Sequence, residues 1–172
     1  EGQLVGVVYG GVREAFRRGV EISRRVYGVA VPGLADIVIS NAHPCEIEFW
    51  QAHKALYPDE RCIRRGGTII VTAPCPEGVA ITHPDMVTYA GRSPHEIDAA
   101  LRAGQIEDLT GGALALAWAG VRQRMTVALV SEGICEEEAR ALGFVPFASV
   151  QAALDDALAR HGREARVTVL PY

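Results

Sequence analysis

Short apolar runs alternate along this chain with stretches of helical periodicity, and few architectures accommodate that order. Strand-like runs occupy residues 4–9, 35–40, 68–72, 126–131 and 165–170. Between them, residues 12–27, 46–57, 112–124, 135–142 and 149–161 carry apolar side chains at helical spacing. Strands that take turns with helices imply right-handed crossovers. The expected fold is therefore α/β, three-layered, with a mainly parallel sheet covered by helices on both faces. Residues 35–40 are apolar almost throughout, which suits a buried central strand. Gly66-Gly67 launches the next one, and residues 29–31 and 144–147 read as further short extended pieces. Ser93-Pro94-His95-Glu96 has the form of a helix start, with Ser93 as cap and Glu96 three residues on. The 46–57 helix is expected to stop before Pro58, and Gly162 to close the last helix. No repeat or linker divides the chain, so residues 1–172 are expected to form one domain.

Seventeen basic against 21 acidic residues leave a formal charge of −4, and the lack of a basic excess gives little support to non-specific nucleic-acid binding. No run approaches the ~20 apolar residues of a membrane span. The first residues form no basic n-region, so no signal peptide is visible. Cys45, Cys62, Cys75 and Cys135 include no C-x-x-C pair and read as reduced thiols of a cytoplasmic protein. Strands begin and end close to the two termini and no start methionine is present, so the chain reads as a piece of a longer protein.

Of the basic residues, 16 are arginine and one, Lys54, is lysine. A compact, rotatable ammonium does things a planar guanidinium cannot. On a helix at about 100° per residue, with Trp50 at zero, Lys54 falls near ~40° and Gln51 near ~100°. Phe49, Ala52 and Leu56 cluster on the opposite, sheet-facing side. Trp50, Gln51 and Lys54 thus project together, and an indole N–H, an amide and an ammonium form a grip for a carboxylate or phosphate. The other reading of these three is a solvated helix face carrying one exposed tryptophan.

At these residues the sequence resembles a known family. Ala35-Asp36-Ile37-Val38-Ile39-Ser40-Asn41, Pro44, Glu48-Phe49-Trp50-Gln51-Ala52-His53-Lys54-Ala55-Leu56 and Gly66-Gly67-Thr68-Ile69-Ile70 are similar to the C-terminal half of the nickel-dependent lactate racemases. Cys75, Glu77 and Gly78 match a cluster that follows in the family. The resemblance is tight over residues 35–80 and looser, but in register, elsewhere. It implies a two-domain 2-hydroxy acid racemase or epimerase with a nickel pincer nucleotide that takes a hydride from the hydroxyl-bearing carbon. The tethering lysine, the metal ligands and the two proton-exchanging histidines would belong to the N-terminal half. This segment would carry no catalytic residue and no metal, and would be inactive alone. Its contribution would be Trp50, Gln51 and Lys54 as substrate-binding residues, and its partners the N-terminal catalytic domain and a small hydroxy acid. Where the family usually has tyrosine this chain has Trp50. A later family tryptophan would align near Gly112 or Ala113, whereas Trp118 lies about a turn and a half further on. Both departures point to a reshaped pocket.

Among the histidines, His53 lies toward the packing side of the site helix, His95 in a first turn and His161 in a last turn. His43 and His83, on loops at the strand ends, are the two that remain as candidates for a site. No histidine or cysteine pair has metal-ligand spacing, and neither glycine pair continues into a phosphate-loop pattern. The reading that competes with the racemase domain is a non-catalytic, anion- or ligand-binding regulatory domain of the same fold.

Overall fold

The computed structural model describes residues 2–171 and divides into two compact units, Glu1–Pro32 and Gly33–Tyr172. In the first unit the expected helix forms with its expected bounds, α1 (Val12–Tyr27), although none of its residues is buried. The strand expected at residues 4–9 does not form, and residues 29–31 are likewise outside any ladder. The apolar alternation there is real, but a strand needs a partner for its backbone groups. Leu4, Val7 and Tyr9 stand open to solvent instead.

The second unit is built on a five-stranded sheet: β1 (Ala35–Asn41), β2 (Ile63–Thr72), β3 (Thr126–Val130), β4 (Val145–Pro146) and β5 (Val167–Leu170). Its order is β4-β3-β2-β1-β5, and every pairing is parallel. The apolar β1 is an interior strand, paired on both sides by β2 and β5, while β2 takes the centre. One face presents Ile37, Ile70 and Ala128 to Ala153 and Ala157 of helix α8 (Val150–His161). The opposite parity of β1 carries Ser40, whose hydroxyl donates to Asp59 of helix α3 (Leu56–Cys62) at 2.7 Å. Helices therefore cover both faces.

Gly66-Gly67 lies inside β2 as an irregularity of the ladder, not at its start. Ala35 pairs Ile63, yet Ile37 pairs Thr68, so the β2 side carries extra residues. A Cβ on Gly67 would stand 2.7 Å from the Asp36 carbonyl oxygen, so only glycine permits the approach.

The other expected helices of this unit form with small shifts of boundary. Helix α5 (Pro94–Arg102) opens on the Ser93–Glu96 capping box. Helix α6 (Leu109–Arg122) begins three residues before the expected Gly112, and α7 (Glu136–Ala141) follows Cys135. Helix α4 (Pro84–Ala90) had no counterpart in the sequence reading, although proline at its first position marks its start.

The helix expected over residues 46–57 is corrected at both ends. It runs as α2 (Phe49–Ala52), a 3-10 turn (His53–Ala55) and then α3, which passes through Pro58 to Cys62. The tighter turn lets α3 start afresh, which places Pro58 in a first turn, where its missing N–H and fixed φ cost little.

Candidate functional site

Residues 42–48 do not join the helix because another loop takes up their backbone groups. The Cys75 and Glu77 amides donate to the Glu46 and Ile47 carbonyls at 2.9 and 3.0 Å. In return the first amides of α2 find carbonyls: Phe49 donates to Gly78 at 3.0 Å and Trp50 to Val79 at 2.8 Å. No side chain caps α2; the loop does so with its backbone. The Cys75, Glu77 and Gly78 cluster is this capping loop. Cys75 is buried, with φ of 47°, and burial pushes its thiol up to about 12. It is a packed corner of the loop and no nucleophile.

From that start the helix presents two faces. Phe49 is fully buried, edge-on to Trp118 with ring centroids 4.9 Å apart, and Phe144 completes the aromatic group. His53 is buried on the same side, as its position on the wheel predicts. Its Nδ1 donates to the Trp50 carbonyl at 2.5 Å, and the Tyr57 hydroxyl donates to its Nε2 at 3.0 Å. Burial holds its pKa below the usual imidazole value, so it stays neutral.

On the outer face Trp50 and Gln51 are half-buried and Lys54 is exposed. Lys54 Nζ donates to Gln51 Oε1, while the Trp50 ring is engaged by His83. With Oε1 occupied, the Gln51 amide nitrogen remains as a further donor. Among the described residues Lys54 makes no ion pair, and neighbouring Glu46 and Glu60 are engaged by His43 and Arg124.

The two rim histidines part company. His43 lies beside Glu46 at 2.8 Å on an exposed loop and holds that carboxyl below its ordinary pKa. His83 lies on Trp50. The rings are stacked with centroids 3.7 Å apart and planes 23° from parallel. Its Nδ1 donates to Asp108 Oδ2 at 2.7 Å.

Asp108 is the residue the sequence reading missed. It caps α6, its other oxygen accepting from the Thr110 and Gly111 amides at 3.1 and 3.0 Å. The Gly111 bond above all, then His83, lowers its pKa. An aspartate just ahead of an apolar run is a cap signal visible in sequence; its contact with His83 is not.

Trp50, His83 and Asp108 thus form one linked group, and Gln51 and Lys54 a second pair on the same helical stretch as Trp50. A separate shallow cavity of about 260 Å³ lies over the strand ends, lined by Asn41, Thr72, Ser131 and Glu132. None of the outer-face residues lines it. Among the described residues no three His, Cys, Asp or Glu side chains converge on one point.

A family model described as the lactate racemase C-terminal domain matches residues 31–172. No curated protein matches the chain. Among solved structures, a lactate racemase apoprotein from Thermoanaerobacterium thermosaccharolyticum has the same fold, with a TM-score of 0.75 at 22% identity. That match covers 94% of this chain and 39% of the other. A structural-genomics protein from Thermotoga maritima matches with a TM-score of 0.57 at 16% identity, over 90% of this chain and 40% of its own. The chain spans about two fifths of the length of either structure.

Proposed function

The chain belongs to the lactate racemase C-terminal domain family, and from that premise we propose that it is the substrate-facing domain of a 2-hydroxy acid racemase or epimerase. The observation that carries the reading is the outer face of α2 and the 3-10 turn that follows it: Trp50, Gln51 and Lys54, with the chain's one lysine outside any ion pair among the described residues. A 2-hydroxy acid must be held by its carboxylate while the neighbouring carbon changes configuration. Lys54 supplies the charge for that hold, and the Gln51 amide, oriented by the lysine itself, supplies a neutral donor beside it.

Nickel pincer chemistry, as the family resemblance implies, would supply hydride acceptance and return. The residues of this chain do not fit such a centre. Among the described residues no donor set converges, His53 is spent on Trp50 and Tyr57, and the Cys75 thiol stays protonated. We assign the cofactor, and the groups that exchange the hydroxyl proton, to an N-terminal domain of the same polypeptide. This chain alone then carries out neither hydride nor proton transfer.

The first unit supports a partner of that kind. Residues 1–30 lie outside the family match, and Leu4, Val7, Tyr9, Val12 and Phe16 offer apolar surface that a neighbouring domain would cover. No described helix is long and apolar enough to cross a membrane. The four free cysteines accord with a reducing, cytoplasmic setting.

The test is made in the two-domain protein. Lys54→Ala is expected to lower kcat/KM at least about tenfold, since a charge-assisted contact contributes ~1.5–3 kcal/mol and each ~1.4 kcal/mol is a decade. Lys54→Arg keeps the charge but changes reach and geometry, so it is expected to be impaired as well. Full activity in Lys54→Arg would remove the lysine from the site and favour the competing reading, a regulatory anion-binding domain.

A further inference from the structure

His83 packs on Trp50, one helical turn before the anchor, and has no task in that reading. Its surroundings are built with care. The ring stacks on Trp50, and Nδ1 donates to Asp108 Oδ2. Asp108 is fixed in turn by two amides of α6, and its own amide donates to Asp85 Oδ2 at 3.0 Å. A Cβ at Gly111 would stand 2.5 Å from Asp108 Oδ2, so glycine keeps that space open.

A carboxylate can only accept, so the proton of a neutral His83 sits on Nδ1. Nε2 is left with a bare lone pair. Among the described residues Nε2 has no hydrogen-bond partner, and it is not enclosed. The remaining polar ends of this face, the Trp50 indole, the Gln51 amide nitrogen and the Lys54 ammonium, are all donors. Several donors and one fixed acceptor suit a ligand that mostly accepts and has an O–H to give.

We propose that His83 reads a hydroxyl of the substrate, so that the site takes a 2,3-dihydroxy acid in preference to a plain 2-hydroxy acid. The inference rests on the anchor reading: with the carboxylate on Lys54 and the 2-hydroxyl reacting elsewhere, the hydroxyl left for Nε2 is a further one. A second carboxylate at that position would meet a lone pair and be rejected. Asp108 is the positioning residue, since it sets which nitrogen faces the ligand.

The experiment titrates the two-domain protein at pH 8 with lactate, glycerate and malate, following the indole N–H resonance of Trp50. Glycerate is expected to bind about tenfold more tightly than lactate, and malate no more tightly than lactate. His83→Phe keeps a ring on the indole but removes the acceptor; it should reduce the glycerate preference over lactate to less than about twofold. His83→Gln, whose amide oxygen accepts, should restore part of the preference. Equal binding of glycerate and lactate by the unaltered protein, or a preference that survives His83→Phe, overturns the role of His83. Lys54→Ala should weaken both acids alike and leave their ratio in place. Failure of that variant to weaken either acid overturns the anchor and not the acceptor, whereas absence of binding by every acid overturns both.

Discussion

The helical stretch from Phe49 to Cys62 treats polar groups in opposite ways on its two sides. On the inner side His53 is tied at both ring nitrogens and held neutral, and Asp59 sits fully buried on the Ser40 hydroxyl. On the outer side, among the described residues, the Gln51 and Lys54 side chains engage only each other, which leaves their remaining donors unpaired. Inside, a polar group persists by losing its charge or finding a partner; outside, the unpaired groups remain open to a ligand. A buried charge costs far more than an exposed one, so burial sorts the two sets even though they alternate within a few residues of sequence.

The comparison can be broken most forcefully at the aromatic end of the inner side. Phe49→Ala leaves a cavity against Trp118 and Phe144 and is expected to cost ~3–5 kcal/mol in denaturant unfolding. A loss below ~1 kcal/mol would mean that this side is loosely packed and the contrast overstated.

Asp59 gives a smaller effect of the opposite sign. Burial, only partly offset by the Ser40 bond, raises its pKa from 3.8 to about 7. The folded protein therefore binds a proton that the unfolded chain releases, and stability falls as pH rises from about 4 to about 7, then levels off. Asp59→Asn retains an acceptor for Ser40 and cannot ionise, so at pH 8 it is expected to be the more stable protein by on the order of 2–4 kcal/mol. At pH 4 the difference should nearly vanish. Equal stability of the two proteins at pH 8 would show that the carboxyl finds a partner or water for its free oxygen.

The smallest expected effect belongs to the outer side. Lys54→Ala should change unfolding free energy by no more than ~0.5 kcal/mol, because the lysine holds nothing in the core. A larger loss would make Lys54 a structural residue and dissolve the contrast.

What the sequence disclosed follows the same division. Wheel geometry placed Trp50, Gln51 and Lys54 on one face and Phe49 on the other, because both are properties of a single local segment. The Ser93–Glu96 box was legible for that reason too. The pairing of His83 with Trp50 was not, since it depends on the loop at Gly78 and Val79 closing on a helix some thirty positions earlier. Pro58 misled because the rule it invokes holds for helix interiors, and the 3-10 turn at His53–Ala55 makes it a first-turn residue. Residues 4–9 carry the pattern of a strand without a neighbour to pair with, and pattern alone does not supply one.

The closure of α2 by the Gly78 and Val79 carbonyls bears on how this site can diversify. A cap made of main-chain atoms is indifferent to most side chains, so residues around it can be exchanged while the helix keeps its start. Gly78 itself, at φ +79°, is the exception to that freedom. Chain length is another matter. Inserting or deleting one residue between Cys75 and Val79 would shift both carbonyls off the Phe49 and Trp50 amides and swing the outer face away from His83. Within this architecture, new ligand preferences are therefore reached by substitution at fixed loop length, and libraries that vary the length of this loop should yield mostly misassembled sites.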